Sequence, residues 1–337
     1  MMRLWLSMVL ALAVASIVGA SVQVTVPGGV AQEPNGSTLH SADSHFDGNV
    51  GAKPVKYSAE YNQLFVKQTD NINSMILGPV HRLAVKANLP HWSITWLRNW
   101  WAGTVIYFLS AGGIYFHSSW SKKDKNYQGG AIAMRPALEQ MGMSFLGLPV
   151  ITTLPSFAEY IVEKGWTFCY ADIAEVGMVA YFVQIAAYLA FCEFWVYWFH
   201  RWLHTPLLYK YMHHSHHFYS KLNTVSPFAG LAFNPFDGIL QASPLVFALF
   251  LVPMHFQTYY ILFFLEEIWT ANIHDTIDGG MYGILGAGYH NFHHTHYKYN
   301  YGHLTIFMDW VYGTLIDPAK EGPKRRDQGT EKALKSS

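Results

Sequence analysis

Long apolar stretches alternate with short polar segments along most of the chain, a pattern that predicts a bundle of membrane-crossing helices. Residues 177–199 exceed the roughly 20 apolar residues that a helix needs to cross a bilayer. Residues 102–116 form a second candidate span, and Trp100 and Trp101 lie at its rim, as aromatic residues do at a membrane interface. Residues 145–162 are interrupted by proline, which predicts a short or re-entrant helix.

The apolar stretch at residues 238–270 predicts a helical hairpin. It is about 33 residues long, which is too long for one crossing at about 1.5 Å per residue. Pro253 and His255 lie near its middle. A bend there would return the chain to the membrane face that it left, so histidines on both sides of the hairpin would lie at one end of the bundle.

The two ends of the chain differ from the region between them. Residues 1–23 place an arginine before an apolar run that ends in small residues, which is typical of a signal peptide or a signal anchor. Residues 24–94 read as a polar N-terminal segment, residues 95–318 as the membrane domain, and residues 319–337 as a polar tail. The basic residues of the tail predict a cytosolic position.

The composition supports the membrane prediction and argues against other classes of function. Hydrophobic residues make up 51% of the chain, aromatic residues 16% and charged residues only 13%. Lys+Arg and Asp+Glu balance at 22 each, so there is no electrostatic basis for binding nucleic acid. Cys169 and Cys192 have no CxxC spacing and predict neither a disulfide scaffold nor a cysteine metal site.

Histidines are concentrated in one part of the chain. Thirteen of the 18 lie between His200 and His303. Nine of these fall in helix-compatible clusters, namely His200/His204, His213/His214/His216/His217 and His290/His293/His294. Residues three and four apart share one face of a helix, so each cluster aims several imidazoles in the same direction.

Together the clusters predict a metal site, although each alone has an ordinary explanation. One H-x3-H pair is a frequent accident on a polar helix face, and HHSHH alone fits a surface pH sensor. Three clusters beside apolar spans hold more imidazoles than one tetrahedral zinc ion could take, which favours two metal ions. Redox iron is the preferred metal, and zinc fits the same nitrogens without redox chemistry.

Two carboxylates in apolar helices are candidates for supporting the metal ligands. Glu193 shares a helical stripe with His200, and Glu266 shares another with His274. Imidazole ligands usually donate their second N–H to a carboxylate, a carbonyl or water. Pairing with arginine, tyrosine or backbone groups inside the bundle is an equally good interpretation.

Six long motifs give the chain a close resemblance to the Δ7-sterol C5-desaturases, also called lathosterol oxidases, and above all to the plant-type enzymes. The motifs are HRWLH (200–204), LYKYMHHSHH (208–217), SPFAGLAFNPFDG (226–238), IWTANIHD (268–275), GAGYHNFHHT (286–295) and NYGHLTIFMDW (300–310). The resemblance runs from about residue 95 to Pro318 and includes LPSFAEYIVEKGWT (154–167). It marks residues 95–318 as a catalytic domain of the sterol desaturase and fatty acid hydroxylase type.

The resemblance implies an all-α fold, with about four core transmembrane helices and a cytosolic di-iron cap. It implies nine iron ligands, which are His200, His204, His213, His216, His217, His274, His290, His293 and His294. His214, His255, His296 and His303 are left out or treated as supporting residues. Relatives commonly have histidine where this chain has Asn234, so a contact from that position is altered.

The reaction implied is removal of hydrogens from C5 and C6 of a Δ7-sterol with O2, in the endoplasmic reticulum membrane and with the histidines facing the cytosol. Electrons must come from outside, because the chain has no Gly-rich dinucleotide fingerprint after a strand. The resemblance implies cytochrome b5 and an NAD(P)H-linked reductase as their source. Arg201, Lys210 and Lys324–Arg326 could dock that acidic partner, or could simply be positive-inside residues.

Two alternatives remain open from the sequence. One is another di-iron lipid oxidation on the same scaffold, such as sterol C4-methyl oxidation or fatty-acyl hydroxylation. The other, more remote, is a non-enzymatic metal-binding or transport membrane protein. That alternative predicts ionisable residues along a path through the spans, whereas the histidines cluster at helix ends.

Overall fold

The computed structural model describes residues 56–120, 134–221, 224–278 and 283–320. The predicted signal segment, the first part of the polar N-terminal segment and the basic cluster Lys324–Arg326 lie outside these residues. The described residues are helical, with two isolated bridges and no strand, so the all-α prediction is confirmed for them.

Two helices precede the expected start of the membrane domain at residue 95. Helix α1 (Ala59–Leu77) begins at Ser58, whose hydroxyl accepts the amide of Tyr61 at 3.1 Å. Helix α2 (Pro79–Lys86) starts on a proline after Gly78, which has a positive φ of 52°. Helix α1 packs against the helices that follow, so the described bundle begins well before residue 95.

Five long helices form the body of the bundle. They are α3 (His91–Trp120), α4 (Met134–Ile151), α5 (Thr153–Glu163), α6 (Met178–Leu203) and, later in the chain, α9 (Phe256–Ile273). One hydrophobic core packs α5, α6 and α9 against α1 and contains the buried rings of Phe65, Tyr188, Phe256 and Tyr259. Aromatic side chains of this size supply most of the packing area between the helices.

Two described segments are long and apolar enough to cross a membrane. They are Met134–Glu163, which joins α4 and α5, and α6. The first of these differs from the short or re-entrant helix that its prolines predict. The carbonyl of Pro149 accepts the indole N–H of Trp96 at 2.8 Å, and the Thr152 hydroxyl donates to the carbonyl of Leu148. These side chains satisfy backbone groups at the break, so the segment continues through it.

The expected span at residues 102–116 lies inside α3, but α3 is not among the segments that pass this test. Its buried face carries polar and small residues, including Arg98, Asn99 and Ser110. Arg98 and Asn99 hydrogen-bond to Glu159 of α5, and Ser110 donates to the carbonyl of Ile106 in its own helix. The length of α3, 30 residues, would suffice for a crossing.

The predicted hairpin is present. Helix α8 (Pro235–Phe247) continues into the 3-10 turn Ala248–Phe250, the chain bends, and α9 begins at Phe256. The bend is held by Tyr170, whose N–H donates to the carbonyl of Met254 and whose carbonyl accepts the amide of Phe256, both at 3.0 Å. The start of α8 and the end of α9 therefore lie at the same end of the bundle.

Short helices at that end carry most of the histidines. The turn Pro206–Leu208 leads into a π-helical turn at Tyr209–His213 and then into α7 (His214–Lys221). A 3-10 turn at Pro227–Leu231 precedes α8, and α10 (Ala287–His296) and α11 (Phe307–Val311) follow α9. Helix α10 stops at Tyr297, which is left-handed with a φ of 59°.

Candidate metal centre and cavity

The nine histidines expected to hold metal lie in two groups at this end of the bundle. The first group has five members, which are His200, His204, His213, His217 and His293. The second has four, which are His216, His274, His290 and His294. Within each group the candidate ligand nitrogens all lie within 4.8 Å of one another.

Helical spacing explains how the chain divides its histidines between the groups. His213 and His217 are four residues apart and face the first group, while His216 faces the second. On α10, His293 faces the first group, and His290 and His294, again four apart, face the second. The π-helical turn, in which the amide of His214 donates to the carbonyl of Tyr209, sets the rotation of α7.

The second group has the geometry of one coordination sphere. The Nε2 atom of His274 lies 3.3 Å from that of His216, 3.0 Å from that of His290 and 3.2 Å from that of His294. Metal–nitrogen bonds of about 2.0–2.1 Å place neighbouring ligand nitrogens about 3.0–3.4 Å apart in tetrahedral or octahedral geometry. The Nδ1 atom of His274 is 2.7 Å from the Thr270 carbonyl and must carry its proton, so Nε2 presents a lone pair to the others.

The first group has buried nitrogens without a protein partner. The Nε2 atoms of His200, His204 and His293 are buried and accept or donate no hydrogen bond among the described residues. His200 Nδ1 lies 2.9 Å from the carbonyl of Tyr301, and His293 Nδ1 lies 2.7 Å from that of Tyr299. Both Nδ1 atoms therefore donate, which leaves each Nε2 with an unshared lone pair in the interior. A metal ion is the partner that these donors fit.

Other outer contacts hold the rings in orientation. His213 Nδ1 lies 2.7 Å from a carboxylate oxygen of Asp237, with both side chains fully buried. Ser220 Oγ lies 2.8 Å from Nδ1 of His294. Contacts of this kind fix the tautomer of a ligand and raise its basicity.

Burial keeps these imidazoles neutral, as metal binding requires. Desolvation lowers the pKa well below the usual value for His213, His216, His217, His290, His293 and His294. It lowers the pKa of His274 to about 4. Each ring therefore offers a lone pair at neutral pH, and a metal ion does not have to displace a proton.

A large apolar cavity opens against both groups. His200 and His216, one from each group, line it together with His274 and His290. Its empty volume is about 1170 Å³, counting the part that is open to its surroundings. From the histidines it extends between the helices past side chains such as Val196, Leu245 and Phe264 to Asn99 and Pro155. The grouped histidine nitrogens thus face a space lined mostly by apolar side chains.

Comparison with known proteins gives this geometry a family. A family model described as fatty acid hydroxylase matches residues 185–314, a range that includes all nine histidines. The Delta(7)-sterol-C5(6)-desaturase of Nicotiana tabacum is 47% identical over 268 residues, which are 79% of this chain and 99% of the relative. The chain belongs to the Δ7-sterol C5(6)-desaturase family.

Desaturase-family relatives outside plants are more distant. The lathosterol oxidase of Homo sapiens is 36% identical over 180 residues, or 51% of this chain and 58% of the relative. The Delta(7)-sterol 5(6)-desaturase of Eremothecium gossypii is 32% identical over 187 residues, or 54% of this chain and 51% of the relative. No solved structure matches the chain.

Four other histidines between residues 200 and 303 of this desaturase-family chain lie outside the two groups. His214 is exposed. His296 stacks on Phe292 at 3.9 Å between ring centroids, and His255 contacts Thr258 at the hairpin bend. His303 lines the cavity but pairs with a carboxylate. These are the same four residues that the sequence analysis leaves out of the ligand set or treats as supporting residues.

Of the two interpretations left open for Glu193 and Glu266, the contacts favour pairing inside the bundle over support of the grouped imidazoles. Glu193 accepts the amides of Leu304 and Thr305 at 3.0 Å and the Thr305 hydroxyl at 2.8 Å. Glu266 pairs with His303 at 2.8 Å. Among the described residues neither carboxylate bonds to an imidazole of the two groups. Both hold the 303–305 segment, which forms part of the cavity wall.

Asn234 also has a structural contact instead of a metal-facing one. It begins α8, where its side-chain oxygen accepts the amide of Phe236 at 3.0 Å and its amide nitrogen donates to the Tyr211 carbonyl at 3.3 Å. These bonds occupy both ends of the amide. The altered position therefore links α8 to the π-helical turn.

Sequence reasoning missed two buried acids. Asp237 supports His213 directly, and it follows Asn234 by three residues in the quoted motif FNPFDG. Asp309 accepts the amides of Tyr301 and Gly302 at 2.8 and 2.7 Å, which fixes the carbonyl that His200 uses. An acidic residue inside an otherwise apolar motif was the available signal for both.

Proposed function

We propose that the protein is an O2-dependent Δ7-sterol C5(6)-desaturase that introduces the double bond between C5 and C6 in sterol biosynthesis. The observation that carries the proposal is the position of two groups of neutral, inward-facing imidazoles at one end of a large apolar cavity. Membership of the desaturase family supplies the substrate class.

Two iron ions are the metal that this donor set suits best. The five imidazoles of the first group and the four of the second would each hold one ion. Neutral nitrogen donors without cysteine or a bridging carboxylate among the grouped ligands favour redox iron over a hydrolytic zinc pair. When bound, the ions supply the electron transfer by which O2 takes two hydrogens from the sterol, two electrons and two protons and becomes two molecules of water.

The residues of the chain contribute orientation and exclusion of water. Asp237, the Thr270 carbonyl and the Tyr301 carbonyl hold three imidazoles so that their Nε2 atoms point inward. The cavity presents apolar side chains along most of its length, so a sterol nucleus can displace water from it. The 303–305 segment, held by Glu193 and Glu266, closes the wall beside the histidines.

The electrons come from NAD(P)H through a reductase and cytochrome b5 in this proposal. Lys210 is exposed on the π-helical turn next to His213 and is available to an acidic partner. Arg201 is less free, because its guanidinium donates to the Tyr197 hydroxyl at 2.9 Å and lies over the ring of Trp198. The proposed location is the endoplasmic reticulum membrane, with the histidine end facing the cytosol.

Sterol analysis of a yeast strain that lacks its own C5-desaturase tests the function. Expression of this chain is expected to convert accumulated Δ7-sterols into Δ5,7-dienes, detected by gas chromatography and mass spectrometry. A variant with His213→Ala should express but leave the Δ7-sterols unchanged. Well-expressed wild-type protein that yields only unchanged Δ7-sterols would contradict the proposal.

The same extracts test the nearest alternative. The family model that matches is described as fatty acid hydroxylase, a reaction in which oxygen is retained in the product. Hydroxylated lipids or C4-oxidised sterols in place of Δ5,7-dienes would therefore identify the chain as a different oxidase on the same scaffold.

A further inference from the structure

One carboxyl group in the cavity wall has no partner. Glu267 lies on α9 and lines the cavity. Its side chain is partly buried, and its carboxyl oxygens lie close to Gly103 of α3. It makes no hydrogen bond or ion pair with any described residue.

The other acidic side chains of the cavity wall are all engaged. Glu266 pairs with His303, and Glu193 accepts three hydrogen bonds from Leu304 and Thr305. The side-chain amides behave in the same way. Asn99 bonds to Glu159 and Ser156, and Gln241 donates to Asp237. Glu267 therefore differs from every other acid or amide that faces this space.

The position of Glu267 relates it to the metal-binding residues. It precedes His274 by seven residues, which is two helical turns, so both side chains lie on the same face of α9. The distance along the helix is about 10 Å at about 1.5 Å per residue. Thr270 lies between them on that face and also lines the cavity. A polar row thus leads from Glu267 through Thr270 to the histidines along this face of α9.

A carboxyl group in this position needs a partner from the ligand. Burying an unpaired acid in an apolar space inside a membrane protein is costly, and such residues usually mark a functional site. A sterol carries a single polar group, the hydroxyl on C3. That hydroxyl is three bonds from C5, which is at most about 4.5 Å at about 1.5 Å per bond. Whatever holds the hydroxyl also fixes where C5 and C6 lie.

We propose that Glu267 binds the 3-hydroxyl of the sterol, with Thr270 beside it, and thereby positions C5 and C6 toward His274. This inference rests on the proposed function, because it takes a 3-hydroxysterol as the substrate. It assigns Glu267 as the residue that selects hydroxylated sterols and sets their register in the cavity. The remainder of the sterol lies among the apolar residues of the wall.

Equilibrium binding of a Δ7-sterol and of its 3-deoxy analogue tests the assignment. Purified wild-type protein is expected to bind the hydroxysterol more tightly by about 2- to 10-fold, the range for a net hydrogen bond between uncharged groups. Glu267→Leu should bind the two compounds nearly equally, because the hydroxyl loses its partner. Glu267→Gln should recover part of the preference, because an amide still bonds to a hydroxyl.

Phe263→Leu is the matched control, since Phe263 lines the same cavity without a polar group. It should weaken the binding of both compounds by the same factor and leave the ratio of their affinities unchanged. Thermal melts of each variant establish that it folds. If Glu267→Leu does not fold, the ratio of the affinities of Glu267→Gln for the hydroxysterol and its 3-deoxy analogue tests the inference instead. An unchanged wild-type ratio in the folded variant overturns the inference.

Turnover separates this inference from the proposed function. Wild-type protein that binds the hydroxysterol selectively but yields no Δ5,7-diene contradicts the function and leaves the binding role of Glu267 intact. A Glu267 variant that desaturates with the wild-type KM and binds with the wild-type ratio contradicts the inference alone. The expected variant shows a raised KM for the hydroxysterol and a lower kcat, because C5 and C6 are no longer held in register.

Discussion

Two adjacent histidines have opposite environments at the start of α7. His213 is fully buried, with Nδ1 held by Asp237, whereas His214 is exposed. His213→Ala should lower turnover by at least about 100-fold and bound iron from about two ions per chain towards one, because it removes a ligand of the first group only. His214→Ala should retain both. Metal analysis of the purified proteins beside a turnover assay measures the difference, and equal iron in the two variants would contradict the assignment.

Asp237 provides a second test, because it acts on His213 without being in either group. Asp237→Asn keeps the shape but removes the charge that stabilises the Nδ1–H of His213. Iron affinity is expected to fall by about 10- to 100-fold while the protein stays folded. Glu60→Gln, which removes an exposed carboxylate on α1, is the control and should bind iron normally. Normal affinity in Asp237→Asn would show that the ring is oriented by packing alone.

At the residue scale, the sequence predicts the candidate metal-binding imidazoles better than the groups that hold those imidazoles in orientation. The nine imidazoles are readable from helical spacing and from the resemblance, and the structure brings all nine together. Their Nδ1 partners are mostly backbone carbonyls, such as those of Thr270 and Tyr301. Every residue carries a backbone carbonyl, so the sequence does not show which carbonyl will accept a hydrogen bond from a histidine. Tertiary packing decides this. Asp237 could have been found as an acid inside an apolar motif.

At the scale of helices, a charged cluster joins α1, α3 and α5 at the start of α3. His91 contacts Asp70 of α1 at 3.1 Å and Glu163 of α5 at 3.0 Å. The hydrogen bond to Glu163 raises the pKa of His91 above its usual value, against the opposing effect of burial. A raised folded-state pKa means that the stabilisation is complete below about pH 6.5 and is lost as pH rises through the folded-state value.

His91→Gln should therefore destabilise the protein more at pH 6 than at pH 8.5. The expected loss at pH 6 is about 1 kcal/mol or less, because Asp70 is half exposed to solvent. Melting temperatures of the variant and the wild type in detergent, at both pH values, measure it. His81→Gln on α2 serves as the control, since His81 has no ion pair among the described residues. A loss of stability in His91→Gln that is the same at both pH values would show that the ion pairs do not stabilise the protein.

The apolar pattern predicts some helices correctly and misses others, and the reasons lie in local features of each segment. The hairpin at residues 238–270 is confirmed because length and a central proline constrain it strongly. The break at 145–162 is milder than its prolines suggest, since Trp96 and Thr152 satisfy the exposed carbonyls. Helix α1 was missed because its apolar residues, such as Phe65 and Ile72, are sparse among polar ones. Its role depends on neighbours distant in the sequence.

At the scale of the whole molecule, the metal groups join elements that are far apart in the chain. The grouped histidines come from the end of α6, from the π-helical turn and α7, from His274 after α9, and from α10. The hairpin of α8 and α9 brings the last two beside the first two. Several lone pairs face one another at about 3 Å in the second group, an arrangement that repels unless a cation lies between them. Bound metal should therefore stabilise the entire bundle.

Removal of the metal should lower the melting temperature by about 3–5 °C, since a ligand at 100 times its Kd contributes about 2.7 kcal/mol and each kcal/mol shifts a protein of this size by about 1–2 °C. Iron added back to chelated protein should restore both the melting temperature and turnover. Zinc should restore the melting temperature alone, because it fits the nitrogens but has no redox chemistry. His213→Ala should show a smaller shift on chelation. A wild-type melting temperature that does not change with chelator would mean that packing alone holds the histidines together.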